Sequence, residues 1–243
     1  MYGLIAVFSG TSDGRKVVEN LLEKDYSVTC FNATPYGGEL YQPHKNLTVY
    51  DKKMNKVELV TKLKNVHKVV DCTHPYAQVI SQNLIDICKD FEIDYMRYER
   101  PDDLESGYDS YESIVDQLLK TSGNILLTTG SNNLEYFNQE TLIERVYCRV
   151  LPTVSVIKKC HDLGFSPKQI IGMQGPFDQG LNQAIFKSLD IKHLVTKSSG
   201  KAGGFKEKMD AAKALNIKTY VLSRPNIDYG LTYDNLDNLL REF

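Results

Sequence analysis

An α/β fold with parallel sheets is what the sequence predicts, on three observations. Short apolar runs alternate with helix-period segments from end to end. Several of the runs are apolar at every position, as strands covered on both faces are. Glycine-bearing turns directly follow several of the runs, in the order strand, loop, helix that a parallel sheet with right-handed crossovers requires.

In the first half, residues 4–8, 27–31, 47–50, 68–72 and 94–98 read as strands. The loop after the first of these runs opens a helix with Val17, Val18, Leu21 and Leu22 on its apolar face. Residues 75–90 read as another, because Ala77, Ile80, Leu84, Ile87 and Cys88 recur at steps of three and four and Pro75 suits a first helical turn. In the second half the strands are expected at 125–128, 145–151, 169–172, 193–196 and 219–222. A helix after Gly204 carries Phe205, Met209, Ala212 and Leu215 on one face, and Asn216 can close it.

The halves echo one another. A strand ending at Thr73 leads through a helix to Arg100-Pro101, and one ending at Thr196 leads through a helix to Arg224-Pro225. The separations, 73 to 101 and 196 to 225, are 28 and 29 residues. The reading is therefore two Rossmann-like parallel-sheet domains with a cleft between them. Residues 1–104 form the dinucleotide-binding domain and 105–243 the substrate side, with the polar stretch 101–110 as linker.

Lys and Arg number 29 against 31 Asp and Glu, a net charge of -2, with 42% hydrophobic residues. Such a composition excludes a disordered chain and excludes nucleic-acid binding driven by overall field, so an anionic ligand has to be met locally. The longest uncharged apolar run near the start, 4–8, is too short for a membrane span or a secretory core, and neither membrane nor export is expected. The cysteines Cys30, Cys72, Cys88, Cys148 and Cys160 are odd in number and widely spaced, which suits free thiols in a reducing cytoplasm.

Gly10, Thr11, Ser12, Asp13, Gly14 and Arg15 join the first strand to the first helix, where glycines let the backbone approach a phosphate and helix amides face it. The full GxGxxG pattern is absent, so Gly10 can also serve the turn alone, with Ser12 or Asp13 capping the helix. At the end of the second strand stand Asn32, Ala33 and Thr34, with no acid for a ribose hydroxyl and no arginine for a 2′-phosphate. NADH is accordingly expected over NADPH. Thr73, His74, Pro75 and Tyr76 fall on the carboxyl edge of the same sheet. His74, beside the expected helix start, is a candidate for proton transfer as well as for a structural role.

Thr129, Gly130 and Ser131 form a comparable turn in the second half, with Asn132 and Glu135 spaced as a capping pair. Lys197, Ser198, Ser199, Gly200, Lys201, Gly203 and Gly204 suggest an anion site, although their order is not that of a Walker A loop. No metal site is expected, since Asp71, Cys72 and His74 alternate along a strand with no second ligand cluster. Tyr41 and Lys45 match a dehydrogenase spacing, but Pro43 rules out the regular helix such a pair needs.

Taken in order, GTSDGR at 10–15, DCTHPYA at 71–77, MRYERP at 96–101, LLTTGSNNL at 126–134, GPFDQGLN at 175–182, TKSSGKAGG at 196–204 and SRP at 223–225 resemble the precorrin-6A reductase family of cobalamin biosynthesis. The stretch ATPYG at 33–37 resembles the cobalt-precorrin-6A branch, which also favours NADH. The resemblance implies hydride transfer from a reduced nicotinamide to one carbon of an anionic tetrapyrrole, giving (cobalt-)precorrin-6B, with cobalt only as part of the substrate. Hand-over to neighbouring corrin-pathway enzymes fits such a role. The cations expected to meet the substrate's carboxylates are Arg97, Arg100, Arg149, Lys197, Lys208 and Arg224. The chain departs from the family at Ser198, where an acidic residue is usual, and at Asp13, where Glu is usual. No acid is therefore carried over, and a non-catalytic tetrapyrrole carrier of the same fold is the alternative.

Overall fold

Residues 3–101, 104, 106–198 and 204–243 are described by the computed structural model of the chain. They divide into two units: the chain leaves the first after Pro101 and returns to it at Pro225, so that residues 102–224 make up the second. The expected second domain of 105–243 thus ends at Arg224, and both Arg-Pro pairs mark crossings of the chain.

The first unit carries the strands β1 (Leu4–Phe8), β2 (Val28–Phe31), β3 (Leu47–Tyr50), β4 (Val66–Asp71), β5 (Asp94–Tyr98) and β11 (Thr232–Tyr233), paired in parallel in the order β11-β5-β4-β1-β2-β3. Its helices are α1 (Ser12–Glu23), the short α2 (Pro35–Glu39), α3 (Lys56–Leu63), α4 (Gln78–Asp90) and α10 (Leu236–Leu240). The sheet separates two apolar clusters. Val7, Val17, Val18, Leu21, Val70 and Leu239 pack on one face, and Ala6, Phe8, Leu59, Leu63, Val69 and Leu84 on the other.

The last strand and helix were not among the elements expected from the sequence. Two residues of β11 complete the sheet edge, where the Arg97 amide donates to Leu231 O (2.9 Å) and the Glu99 amide to Tyr233 O (2.9 Å). Leu239 and Leu240 of α10 join the α1 cluster. Their apolar burial, not local propensity, holds the segment in place.

The second unit carries β6 (Asn124–Leu127), β7 (Val146–Val150), β8 (Ile170–Gly172), β9 (Ile191–Lys197) and β10 (Lys218–Leu222), parallel in the order β10-β9-β6-β7-β8. That order repeats β5-β4-β1-β2-β3 of the first unit, which accounts for the echo in the sequence. The helices are α5 (Tyr111–Leu118), the single turn α6 (Glu140–Ile143), α7 (Val154–Asp162), α8 (Gln179–Ser188) and α9 (Phe205–Ala214). Asn216 takes φ +53° just past α9, as expected of a residue closing a helix. The linker is shorter than expected, since Tyr108 already pairs with Leu222 at the sheet edge.

Two local expectations are corrected. The helix expected at 75–90 starts at Gln78, with Ala77 as an N-cap that makes no side-chain bond. Pro75 and His74 therefore lie in a preceding turn, closed by the Ala77 amide donating to His74 O (2.7 Å). Asn132 and Glu135 form no capping pair: residues 134–137 make a tight 3-10 turn without a side-chain cap, and Lys159 reaches both Asn132 O and the Glu135 carboxylate.

Candidate functional site

Each sheet has a switch point, between β1 and β4 in the first unit and between β6 and β9 in the second. The chain reverses its direction of growth there and leaves a crevice at the carboxyl ends of the strands. The turns singled out in the sequence lie at these ends.

In the first unit Gly10 takes φ +123°, with open space where a Cβ would stand. Thr11 is the N-cap of α1, accepting from the Gly14 amide (3.1 Å) through Oγ1 while its hydroxyl donates to Cys72 O (3.0 Å). The cap is thus Thr11 rather than Ser12 or Asp13, and one hydroxyl ties together the loops after β1 and β4. Capping consumes the Gly14 amide and leaves the Ser12 and Asp13 amides of the first turn without helical acceptors. An open glycine turn ahead of first-turn amides fits a dinucleotide pyrophosphate.

Gly14 has a different reason for being glycine. A Cβ there would lie 2.5 Å from Ser9 Oγ and 3.0 Å from Ser9 Cα, and Ser9 Oγ is itself held by the Tyr41 hydroxyl (2.7 Å). The residue lets α1 pack against the end of β1, and it does not itself make room for phosphate. Gly14→Val is expected to cost about 1–3 kcal/mol by prising α1 from the sheet. Nicotinamide affinity should fall by about tenfold or more as the first-turn amides shift. A thermal melt and a fluorescence titration with NADH check the two effects.

Arg15 is half-buried in the first turn. Asp13 forms an ion pair with Arg100, so that Arg100 closes the edge of the glycine turn. Thr34 caps α2, accepting from the Gly37 amide (3.3 Å), and buried Asn32 donates to Cys30 Sγ. The end of β2 therefore presents neither a carboxylate nor a guanidinium.

Thr73 is the hub of a polar network beneath the 73–76 turn. Asp71, 0% exposed, accepts from the Thr73 amide (2.9 Å) and hydroxyl (2.7 Å), the Tyr95 hydroxyl (2.8 Å) and Arg97 Nη1 (2.8 Å). Arg97 is 0% exposed as well. It donates again to Glu99 from Nε (2.9 Å) and Nη2 (2.6 Å), and its guanidinium lies 4.6 Å from the centre of the Tyr229 ring. Burial alone would lower the Arg97 pKa, but Asp71 and Glu99 outweigh it and raise it. Arg97 is thereby corrected from a substrate contact to a buried structural cation, because it is fully buried and held by Asp71, Thr73 and Glu99. In the turn above, His74 Nδ1 accepts from the Tyr76 amide (3.4 Å) and the two rings stand 5.4 Å apart.

In the second unit Thr129 is buried and Gly130 takes φ +78° after β6, with Ser131 half-buried beside them. The hydroxyls of Thr129 and Tyr111 are buried, and burial raises the Tyr111 pKa while Asn133 and Thr129 act against it. Lys197 lies 5.9 Å from the centre of the Tyr111 ring, and burial lowers its pKa. Ser198 is buried, its amide donating to Leu222 O (3.2 Å) and its carbonyl accepting from Arg224 Nε (3.3 Å). Gly204, at φ +61°, is the N-cap of α9. Ser199, Gly200 and Gly203 lie outside the described residues.

Arg149 and Lys208 are the remaining candidates, at 7% and 6% exposed. Arg149 Nη1 donates to Asn182 Oδ1 (2.8 Å) and its guanidinium lies 4.5 Å from the centre of the Phe177 ring. Lys208 Nζ donates to Thr196 Oγ1 (3.2 Å). Sequence reasoning missed Asn182, Phe177 and Thr196 as partners. Two of them lie within the GPFDQGLN motif, which was a signal for them.

A family model described as "Precorrin-6x reductase CbiJ/CobK" matches residues 4–243. A cobalt-precorrin-6A reductase of Priestia megaterium is 31% identical over 98% of this chain and 96% of its own length. One of Methanocaldococcus jannaschii is 32% identical over the same shares of the two chains. The solved structure of CobK precorrin-6A reductase matches 99% of this chain and 96% of its own with a TM-score of 0.80 at 19% identity, a likeness of fold. These similarities define an oxidoreductase of cobalamin biosynthesis that acts on a CH–CH group with a nicotinamide cofactor. More narrowly, the chain belongs to the precorrin-6x reductase CbiJ/CobK family.

Proposed function

We propose that the protein reduces cobalt-precorrin-6A to cobalt-precorrin-6B with NADH, the first unit holding the dinucleotide and the second the carboxylates of the tetrapyrrole. The observation that carries the cobalt form is the ordering of relatives. Those named for the cobalt substrate are 28–32% identical, whereas the precorrin-6A reductases of Rhodobacter capsulatus and Mycobacterium tuberculosis are 21% and 25% identical. NADH is supported by the end of β2, where Thr34 caps α2 and residues 32–34 include no lysine or arginine for a 2′-phosphate.

Reduced nicotinamide, when bound, supplies a hydride to one carbon of the macrocycle. The chain's part is placement. The first-turn amides of α1 bind the pyrophosphate, and Thr11 locks the β1 loop to the β4 loop so that both face one ligand. Cations of the second unit orient the substrate, so rate enhancement comes from positioning rather than from a side-chain nucleophile.

Anaerobic incubation with cobalt-precorrin-6A is expected to oxidise NADH stoichiometrically, with NADPH a poorer donor by about tenfold or more in kcat/KM. Preferential use of NADPH would reverse the cofactor assignment. Failure to turn over with either nicotinamide would sink the reading.

A further inference from the structure

The expected cations differ in one respect that only their surroundings reveal. Arg97 is answered by two carboxylates and Arg100 by Asp13. Arg149 and Lys208 have only neutral hydrogen-bond partners among the described residues, Asn182 and Thr196, and neither takes part in an ion pair there. Burying one cation without a counter-charge is costly, and burying two side by side adds their mutual repulsion. Burial lowers the Arg149 pKa to about 10, and burial and then Arg149 lower that of Lys208 to about 8. Glu207 acts on Lys208 through space only and does not offset this, and its Oε2 is buried without a hydrogen-bond partner.

The surroundings hold the pair in place. Asn182 is 0% exposed and anchored through Nδ2 to Asp178 O (2.7 Å), which fixes Oδ1 on Arg149. Phe177 lies against the guanidinium. Leu151 and Val154 are exposed just past the end of β7, the strand that carries Arg149. Two desolvated cations beside apolar surface at a strand end suit a carboxylate borne on a large apolar body.

We infer that Arg149 and Lys208, held by Asn182 and Thr196, form a preformed pocket for one side-chain carboxylate of the tetrapyrrole. The inference rests on the substrate reading given above. It separates this pair from Arg97 and Arg100 and makes it a part of the second unit that tells a tetrapyrrole acid from a neutral macrocycle.

The test is a fluorescence titration with uroporphyrin, a tetrapyrrole polycarboxylate with no reaction to undergo, on the natural protein and on Lys208→Met, Arg149→Met and the exposed control Lys168→Met. Each pocket variant is expected to bind about tenfold or more weakly, with NADH affinity unchanged and the control unaffected. KM for cobalt-precorrin-6A should rise by a similar factor with kcat little changed. Without ligand, Lys208→Met should melt above the natural protein, an outcome that a lysine serving packing would not give. Unchanged uroporphyrin binding, or NADH affinity falling in its place, overturns the pocket. If Arg149→Met does not fold, Lys208→Met and Lys208→Gln decide. Should the natural protein fail to reduce the corrinoid, the substrate reading falls, and the porphyrin titration still judges the pocket by itself.

Discussion

Arg97→Met is expected to destabilise the first unit by about 3–5 kcal/mol, the cost of leaving a buried carboxylate without its partner. Asp71 is 0% exposed and accepts four hydrogen bonds, of which the one from Arg97 alone brings a positive charge. Methionine fills much of the space and removes that charge. Glu99 loses the same partner but is less buried and can rehydrate. At about 2–4 °C per kcal/mol for a protein of this size, the first unit's melting transition should fall by on the order of 10 °C. Removing the opposing charge in Asp71→Asn/Arg97→Met should recover a large part of the loss, because the penalty comes from the unpaired ion and not from lost packing. A double variant no more stable than Arg97→Met would show that the ion pair is not the source. Nicotinamide affinity should fall with stability, since Arg97 also donates to the Thr73 hydroxyl (3.2 Å) beneath the 73–76 turn.

Lys208→Met acts in the opposite direction. Holding Lys208 at about 8, against an ordinary 10.5, corresponds to about 3 kcal/mol at about 1.4 kcal/mol per pH unit. The hydrogen bond to Thr196 returns about 1 kcal/mol, so the variant should be about 2 kcal/mol more stable near neutral pH. This is a rise on the order of 5 °C in the second unit's transition. The sign follows from proton binding: between pH 8 and 10.5 the unfolded chain holds the proton that the folded one has released, so the natural protein gains stability with rising pH across that window. The variant gains nothing from this group. Its advantage should therefore be full below pH 8 and vanish above 10.5, as paired melts across that range can read. Arg149 on β7 and Glu207 on α9 are the charged groups acting on Lys208, and they are the same in both proteins. A fall in the melting temperature near neutral pH would mean that the lysine is compensated.

Central strands such as β1 were legible in the sequence because parallel strands covered on both faces leave continuous apolar runs. Residues 4–8, 47–50 and 94–98 match β1, β3 and β5 residue for residue. The helix start at Gln78 was not legible, because Pro75 is as compatible with a turn as with a first helical residue. At the site, glycine carried the clearest signal and the most easily misread one. Gly10 stands in an open turn, whereas Gly14 faces Ser9 just past its own unit's first strand, and the sequence offers no way to tell these roles apart.

Arginine and lysine showed the same limit. Arg97, Arg100, Arg149 and Lys208 look alike as letters beside glycine-rich turns, but the first two are neutralised by Asp71, Glu99 and Asp13 while the last two meet only an amide and a hydroxyl. By itself the sequence determined the alternation of strands and helices, the repeated half and the turns at which ligands are met, because each is a local pattern of hydrophobicity and backbone freedom. Tertiary structure alone decided that residues 225–243 complete the first sheet, that the Thr11 hydroxyl ties the β1 loop to Cys72, and which cations are left uncompensated. Each of these depends on partners distant in sequence, and burial makes their presence or absence worth several kcal/mol.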